Sequence, residues 1–260
     1  MSARSRGGRV LLRIEDVDVG RARADVADGQ RRDLEWLGLT WDEEVPAQAT
    51  RHYGPWLQLL QETYRCMCTR RQLGARAYAG ACRGAGHTAG TVRWRLPPGP
   101  VRFADTHLGP RCVDPSQRFG DPILVRADGV ATYPLAVVVD DLTDGVTEVV
   151  RGGDLLEHTA TQILLWEAFG ATPPVFTHVP MILGPDGRKL SKSHGSTDVA
   201  SLRNRGIDAR AVWAALLPLL GLQGDDLATA PWAVSAWTPT PWQWLGDWTF
   251  RRLPTASDLV

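Results

Sequence analysis

The chain of 260 residues is long enough for one domain of ordinary size, or for one domain with a small appendage. Apolar residues make up 43% and charged residues 22%, proportions that are typical of a globular protein and exclude a disordered one. Basic and acidic residues balance at 29 each, so no overall field attracts nucleic acid or an anionic membrane, and RNA binding would need a local patch. No apolar run reaches the roughly 20 residues of a membrane span, and no signal-peptide-like stretch precedes the first acidic residues. We therefore expect a soluble, cytoplasmic protein that does not bind membranes.

The first third of the chain predicts alternating β and α segments. Residues 9–15 form a short apolar run typical of a strand, and residues 18–38 carry apolar side chains at helical spacing, with Gly38 as the C-terminal cap. Residues 53–64 predict a second helix. At the start of the chain, residues 2–6 are basic and precede two glycines, a pattern typical of the last turn of a helix.

The rest of the chain continues the alternation after a stretch rich in Cys, Arg, Gly and Ala. An unbroken run of valines gives residues 131–140 the strongest strand pattern, with burial on both faces of a parallel sheet. Further strands are predicted within 91–127, at 147–151 and at 175–183, and helices at 154–169 and 209–220. Five of the eleven tryptophans lie in the last thirty residues, which we interpret as an irregular tail over an apolar face. The pattern indicates an α/β fold with a parallel sheet.

Both lysines of the chain, against 27 arginines, lie in one polar loop. Lys189 and Lys192 are accompanied there by Ser191 and Ser193. A lysine supplies a mobile point charge that a planar guanidinium does not, and hydroxyl groups donate hydrogen bonds to phosphate oxygens. Such a loop can stabilise the charge that develops on a triphosphate in a transition state. A solvated basic loop is the alternative for a generic pattern of two lysines.

The string KLSKS in this loop resembles the second signature of the class I aminoacyl-tRNA synthetases. Segments at 13–18, 33–43, 132–156 and 177–193 are similar to the catalytic domain of the glutamyl-tRNA synthetases. The resemblance implies a class I Rossmann-like parallel sheet, incomplete at the N-terminus, with a small zinc-bearing insertion. It places an N-terminal part of the catalytic domain at residues 1–64 and a zinc-bearing, β-rich insertion at residues 65–120. The C-terminal part of the catalytic domain, with the KLSKS loop, follows at residues 121–195, and a helical, Trp-rich segment at residues 196–260.

Three cysteines, Cys66, Cys68 and Cys82, lie close together in the insertion. In a reducing compartment such a group favours zinc over disulfides, and three buried free thiols are the alternative. Coordination chemistry alone favours His87 as the fourth ligand, because a phenol must first lose a proton with a pKa of about 10. The spacing resembles the zinc module of the glutamyl-Q tRNA(Asp) synthetases, in which a tyrosine is the fourth ligand, and this favours Tyr78. A site closed by four protein ligands would be structural.

Resemblance to that group implies a two-step reaction that uses ATP with Mg²⁺. The carboxylate of L-glutamate attacks the α-phosphate and releases pyrophosphate, and a hydroxyl of the queuosine base in the anticodon of tRNA(Asp) then attacks the activated acyl group. Only 67 residues follow Ser193, fewer than the anticodon-binding region of an ordinary glutamyl-tRNA synthetase occupies. We expect a monomer. Two alternatives stay open: a catalytic fragment of an ordinary glutamyl-tRNA synthetase that acts on tRNA(Glu), and an inactive zinc-bearing tRNA-binding relative.

The resemblance also implies roles for single residues. Glu15 would meet the ammonium group of glutamate, Tyr133 would contact the substrate, and Arg151 would fork onto the side-chain carboxylate. The catalytic and ATP-contacting positions would be Lys189, Ser191, Lys192 and Ser193. A plain ion pair between Glu15 and Arg151, and a core position for Tyr133, are the structural alternatives.

The first signature of the family, a HIGH-like segment, has no counterpart in these 260 residues. It would supply a central strand and the helix N-terminus that receives the phosphates of ATP. Either the natural chain starts upstream of Met1, or the protein is a decayed relative. The unaltered residues of the other motifs favour the first explanation, and we expect the chain as given to be poorly active or unstable.

Overall fold

A computed structural model describes residues 2–74, 76–179, 181–183, 198–216 and 251–252. The helices are α1 Ser2–Ser5, α2 Ala24–Trp36, α3 Gly54–Leu59, α4 Arg70–Leu73, α5 Pro115–Arg118, α6 Tyr133–Thr143, α7 Thr159–Ala168, α8 Val199–Asn204 and α9 Ala209–Leu216. The strands are β1 Leu11–Leu12, β2 Glu43–Glu44, β3 Thr63–Cys66, β4 Thr91–Trp94, β5 Val101–Asp105, β6 Gly109–Val113, β7 Ile123–Val125, β8 Glu148–Gly152, β9 Val175–Val179, β10 Ile182–Leu183 and β11 Arg251–Arg252.

The chain divides into two units, each made from separate stretches of sequence. The first comprises residues 1–12, 23–44 and 179–260. In it, β1 pairs with β2 in parallel, and Leu37 packs with Trp213 in a small apolar cluster. The indole nitrogen of Trp213 donates to the carbonyl oxygen of Leu37 at 2.9 Å, so α9 is fixed to the end of α2.

The second unit comprises residues 13–22 and 45–178, and it contains the larger apolar core. Strands β3, β4 and β7 form an antiparallel sheet, and a second sheet has the order β6-β5-β9-β8. In the second sheet β5 is antiparallel to β6 and parallel to β9. The α/β class is therefore confirmed, but the sheets of the described residues are mixed rather than purely parallel.

The strand predicted at 131–140 is wrong, because this segment forms helix α6. Thr132 stands at its N-cap and Pro134 lies in its first turn, where proline is tolerated. Every residue from Leu135 to Asp141 is buried. A helix that is covered on all sides needs no polar face, so its apolar run has no helical period and is indistinguishable from that of a buried strand.

Several other predicted elements exist but are shorter than their sequence patterns. The helix predicted at 53–64 ends at Leu59, and its last residues enter β3. The helix predicted at 154–169 begins at Thr159, after a turn of 3-10 helix, so Asp154 is not its N-cap. The glycine that ends α2, Gly38, has a φ of +72° and confirms the predicted C-terminal cap. No helix among the described residues is both long and apolar enough to cross a membrane.

Candidate active site

The guanidinium of Arg151, on β8, makes three hydrogen bonds, and all three go to neutral groups. Its Nε donates to Nε2 of His178 at 3.0 Å, and one terminal nitrogen donates to Oε1 of Gln162 at 2.6 Å. The other terminal nitrogen donates to Oγ1 of Thr159 at 2.7 Å. These partners lie on β9 and α7, so the sheet and the helix together fix the direction of the arginine.

Among the described residues, no carboxylate lies within the 4.0 Å of an ion pair with Arg151. Partial burial lowers the pKa of its guanidinium, although Tyr133, Asp141 and Asp105 act in the opposite direction. A cation that is removed from water without a directly bound anion is costly. An anionic ligand would offset this cost, so the surroundings of Arg151 suit a carboxylate.

Tyr133, the first residue of α6, lies close to both of the other predicted substrate-binding residues. Burial raises the pKa of its hydroxyl, the Arg151 guanidinium lowers it, and the Glu15 carboxylate raises it further. Both charges therefore act on the same phenol. The residue is 40% exposed, so it is not a core tyrosine. Tyr133 is thus within electrostatic range of both Glu15 and Arg151.

Glu15 is exposed, and its nearest cation is Arg13. Its Oε1 lies 3.6 Å from a terminal nitrogen of that arginine, whereas none of the described ion pairs joins Glu15 to Arg151. The alternative interpretation, in which Glu15 and Arg151 form a simple ion pair, is therefore wrong. Desolvation raises the pKa of the Glu15 carboxyl, Arg13 opposes this, and Asp141 and Asp140 add to it.

Arg13 is itself engaged by carboxylates of α6. Its terminal nitrogens donate to Oδ1 of Asp141 at 2.5 Å and to Oδ2 of Asp144 at 2.7 Å. Arg51 donates to Asp144 at 2.9 Å and lies 3.5 Å from Oδ1 of Asp140. These ion pairs anchor the segment that carries Glu15 to the C-terminal end of α6, so all three aspartates have structural partners.

The sequence analysis missed the polar residues behind Arg151, which are Asp105, Thr159, Gln162 and His178. One signal was available: His178 stands within an otherwise apolar strand, and a polar side chain buried in such a strand needs a partner. Thr159 and Gln162 offered no signal, because polar residues on a helix usually face water. Their burial follows from tertiary packing alone.

The predicted ATP-contacting residues lie outside the described residues, and their assignment stays a prediction. They are Lys189, Ser191, Lys192 and Ser193. The tryptophans of the C-terminal tail also lie outside, at Trp232, Trp237, Trp242, Trp244 and Trp248.

The three cysteines predicted as metal ligands do meet in space. The sulfur atoms of Cys66, Cys68 and Cys82 all lie within 4.8 Å of one another, and Cys68 and Cys82 are 3.6 Å apart. Tetrahedral zinc with Zn–S bonds of ~2.3 Å places its sulfurs about 3.8 Å apart. All three cysteines are free thiols, and Cys66 and Cys82 are buried. The donor set therefore fits a zinc ion.

Tyr78 completes this cluster, whereas His87 does not. The Tyr78 hydroxyl lies 3.5 Å from the sulfur of Cys66 and accepts a hydrogen bond from the backbone N–H of Cys82 at 2.8 Å. Among the described residues, His87 is exposed and is not part of the metal-binding group. The geometry thus favours the tyrosine over the histidine as a fourth donor.

A buried arginine lies beside the cysteine cluster. The guanidinium of Arg93 sits 3.8 Å from the centre of the Tyr78 ring and donates to the backbone oxygen of Asp121. Desolvation by itself raises the pKa of the Cys66 thiol. Hydrogen bonds, of which that of Tyr78 has a larger effect than that of Arg93, outweigh desolvation and lower the pKa to about 7. The surroundings therefore favour the thiolate of Cys66, the form that binds metal, whereas the hydrogen bond with Cys82 raises the pKa of Cys68 to about 11.

Comparison with known proteins places this chain among the tRNA synthetases. The family model described as the catalytic domain of class I tRNA synthetases (E and Q) matches residues 1–78 and 83–228. A glutamyl-Q tRNA(Asp) synthetase of Nitratidesulfovibrio vulgaris is 38% identical over an alignment that covers 89% of this chain and 82% of that protein.

Two further relatives are longer than this chain. A glutamate–tRNA ligase of Geobacter sulfurreducens is 39% identical over 86% of this chain, but the match spans only 52% of the ligase. The crystal structure of the glutamate–tRNA synthetase of Elizabethkingia anophelis superposes with a TM-score of 0.79 at 23% identity. This likeness covers 99% of the present chain and 63% of that structure, and it shows a shared fold.

Proposed function

We propose that this chain, which belongs to the family of class I tRNA synthetase (E and Q) catalytic domains, activates glutamate with ATP and transfers it to the queuosine base in the anticodon of tRNA(Asp). Relatives in this family include ligases. The names of several relatives that are 38–42% identical support this reaction. ATP and Mg²⁺ are the cofactors that the family implies.

One observation carries the glutamate-binding part of the proposal. Arg151 is held in a fixed direction by neutral groups, without a carboxylate of its own among the residues described. A guanidinium in this state binds a carboxylate through paired, charge-assisted hydrogen bonds. Arg151 takes the side-chain carboxylate of glutamate, and the nearby Tyr133 hydroxyl contacts the same group.

Glu15 supplies the opposite charge for the amino group of the substrate. It is exposed and close to Tyr133, so a zwitterionic amino acid with an additional carboxylate would meet a cation and an anion on the same surface. Arg13 does not compete strongly for Glu15, because its terminal nitrogens already donate to Asp141 and Asp144.

In the first step an oxygen of the glutamate α-carboxylate attacks the α-phosphorus of ATP, and the bond from that phosphorus to the pyrophosphate oxygen breaks. In the second step a queuosine hydroxyl attacks the acyl carbon, loses its proton and displaces AMP. Lys189 and Lys192 with Ser191 and Ser193 stabilise the phosphate charge in the first step. Binding and orientation of glutamate are the contributions of Glu15, Tyr133 and Arg151.

Cys66, Cys68, Cys82 and Tyr78 hold a structural zinc ion. The support is the closeness of their donor atoms and the buried cation of Arg93, which offsets the negative charge of three thiolates and a phenolate. A zinc ion closed by four protein ligands has no open position for a substrate, so it stabilises the insertion and takes no part in the transfer.

Pyrophosphate exchange tests the activation step. Wild-type protein should exchange labelled pyrophosphate into ATP only when glutamate is present. Arg151→Lys keeps the charge but removes the fork, and it should lower kcat/KM for glutamate by roughly 100-fold. Arg102→Lys, at an exposed position of β5, is the matched control and should leave exchange unchanged. Equal activity of the two variants would contradict the assignment of Arg151.

Transfer of labelled glutamate tests the acceptor. We expect labelling of tRNA(Asp) that contains queuosine and none of tRNA(Asp) that lacks it. The 39% identity to a glutamate–tRNA ligase supports a second candidate, transfer to tRNA(Glu). Labelling of tRNA(Glu) independently of queuosine would establish that alternative, and tRNA binding without pyrophosphate exchange would exclude both reactions.

A further inference from the structure

We propose that Asp105 and His178 are positioning residues that hold Arg151 ready for the side-chain carboxylate of the substrate and so determine the preference for glutamate over glutamine. The inference rests on the proposed function and deepens it. Neither residue contacts the substrate in this proposal, since both side chains are completely buried.

The carboxylate of Asp105, at the end of β5, is fixed by four hydrogen bonds. One oxygen accepts from the backbone N–H groups of His107 at 3.0 Å and Leu108 at 2.8 Å. The other accepts from the backbone N–H of His178 at 3.1 Å and lies 2.7 Å from Nδ1 of the same residue. The carboxylate is therefore held in one orientation by the turn after β5 and by the neighbouring strand β9.

This arrangement selects one tautomer of His178. A carboxylate only accepts hydrogen bonds, so the imidazole proton is on Nδ1, which donates to Asp105. Nε2 then carries a lone pair, and it accepts the hydrogen bond from Nε of Arg151 at 3.0 Å. The opposite tautomer would set two N–H donors against each other. Burial lowers the pKa of His178, in agreement with a neutral ring.

The neutral ring keeps the arginine available. Asp105 stabilises the positive charge of Arg151 across the imidazole, without occupying the guanidinium itself. A carboxylate bound directly to Arg151 would fill the place that the substrate needs. The imidazole of His178 thus keeps the carboxylate of Asp105 apart from the guanidinium of Arg151, while its hydrogen bond fixes the direction of that guanidinium.

The count of donors on Arg151 leads to the same conclusion. A guanidinium has five N–H groups, and His178, Thr159 and Gln162 accept from three of them. One N–H remains on each terminal nitrogen, and these two can donate in parallel to the two oxygens of a substrate carboxylate. A carboxylate can accept two parallel hydrogen bonds, whereas the amide of glutamine offers one oxygen and brings two N–H donors. A fixed guanidinium therefore favours glutamate over glutamine.

The side chain of His178 contacts Asp105 through Nδ1, and Arg151 and the Thr159 hydroxyl (3.2 Å) through Nε2. Two amide substitutions separate the contact of Nδ1 from those of Nε2. In His178→Asn the amide nitrogen replaces Nδ1, so the bond to Asp105 stays while the acceptor for Arg151 is lost. In His178→Gln the amide reaches the position of Nε2, and its oxygen can accept from Arg151. Both variants lose the ring and place an amide in the same buried site, so each serves as a control for the other.

We expect His178→Asn to weaken glutamate binding about tenfold, the factor that corresponds to one hydrogen bond to a charged group. The ratio of kcat/KM for glutamate to that for glutamine should fall by a similar factor, and KM for ATP should stay the same. His178→Gln should recover most of both losses. Calorimetric titration with glutamate and pyrophosphate exchange with each amino acid measure these quantities, and thermal unfolding shows whether both variants fold.

Equal glutamate affinity and an equal glutamate-to-glutamine ratio in the two variants would overturn the inference, as would an unchanged ratio in His178→Asn. If wild-type protein binds no glutamate, the proposed function itself fails and the positioning role fails with it. If His178→Asn does not fold, the ratio measured for His178→Gln decides: a ratio reduced tenfold or more contradicts an acceptor role, and a retained ratio supports it.

Discussion

Arg151 owes its proposed role to what surrounds it rather than to its charge alone. Most partly buried arginines of this chain face carboxylates, as Arg13 and Arg51 face the aspartates of α6. Arg151 instead faces a neutral imidazole, a hydroxyl and an amide. The difference between a structural and a binding arginine is therefore visible in the partners of the guanidinium.

At the residue scale, the raised pKa of Glu15 predicts a pH dependence of glutamate binding. Only the ionised carboxylate pairs with the ammonium group of the substrate. Because desolvation and the neighbouring Asp141 and Asp140 raise this pKa and Arg13 only partly offsets them, protonation begins at a higher pH than for an ordinary glutamate. As the pH falls through this raised pKa, KM for glutamate should rise while KM for ATP does not.

Steady-state kinetics over a pH series that extends upward from the ordinary pKa of a glutamate carboxyl, roughly 4.3 in water, would test this. Glu15→Gln is the matched variant, and it should bind glutamate weakly at every pH without the inflection. A profile for Glu15→Gln that matches the wild type would assign the inflection to another group.

At the scale of elements, the metal cluster is built from backbone as well as from side chains. Strand β3 ends at Cys66, and a backbone bridge joins Tyr78 to Gly120. Gly120 has a φ of +73°, and a Cβ there would lie 2.1 Å from the backbone oxygen of Tyr78. Only glycine permits this close approach, so the position of the tyrosine is fixed by the fold.

This geometry predicts that Tyr78, and not His87, contributes to zinc binding. Tyr78→Phe removes the phenolic oxygen and keeps the ring, so the apparent zinc affinity should fall by at least about tenfold, as is typical when an interaction of a metal site is lost. His87→Ala, at an exposed position, should leave the affinity unchanged. Competition with a chromophoric chelator measures both.

The metal content of purified protein gives the control for that comparison. Wild-type protein should contain one zinc ion per chain, and a strong chelator should remove it with loss of structure in the insertion. If His87→Ala weakens zinc binding and Tyr78→Phe does not, the histidine is the fourth ligand. If the wild type binds no zinc, the three cysteines are free thiols.

At the scale of the whole molecule, the described residues form three buried clusters: a small one around Cys66 and Tyr78, and two larger apolar ones that lie in different units. The larger of the two apolar clusters surrounds α6 and contains Leu135, which is 0% exposed. The smaller of the two contains Trp213, which is 8% exposed. Separate cores unfold as one cooperative unit only if the interaction between them is strong, so two calorimetric transitions are expected.

Two core substitutions assign the transitions. Leu135→Ala should destabilise the second unit by about 2–5 kcal/mol and lower the midpoint of one transition. Trp213→Ala should lower the midpoint of the other by a comparable free energy of about 3–5 kcal/mol. A single transition that both substitutions shift to the same extent would show that the molecule unfolds as one unit.

The sequence by itself determined the family and the α/β class, because these depend on short motifs and on residue types at fixed spacing, and its resemblance to the family proposed the residues that carry chemistry. Glu15, Tyr133 and Arg151 were found in this way, as were the three cysteines. The sulfur atoms of the three cysteines lie within 4.8 Å of one another, and the roles of all these residues remain proposals.

Only the tertiary structure decided which groups surround these residues. The valine run of α6 read as a strand because burial on every side removes the period that distinguishes a helix. Asp105 lies 73 residues before His178 and reaches Arg151 only through strand pairing and helix packing. Contacts over such separations leave no periodic trace in the sequence, so only the fold shows that, among the described residues, neutral groups and not a carboxylate surround the guanidinium of Arg151.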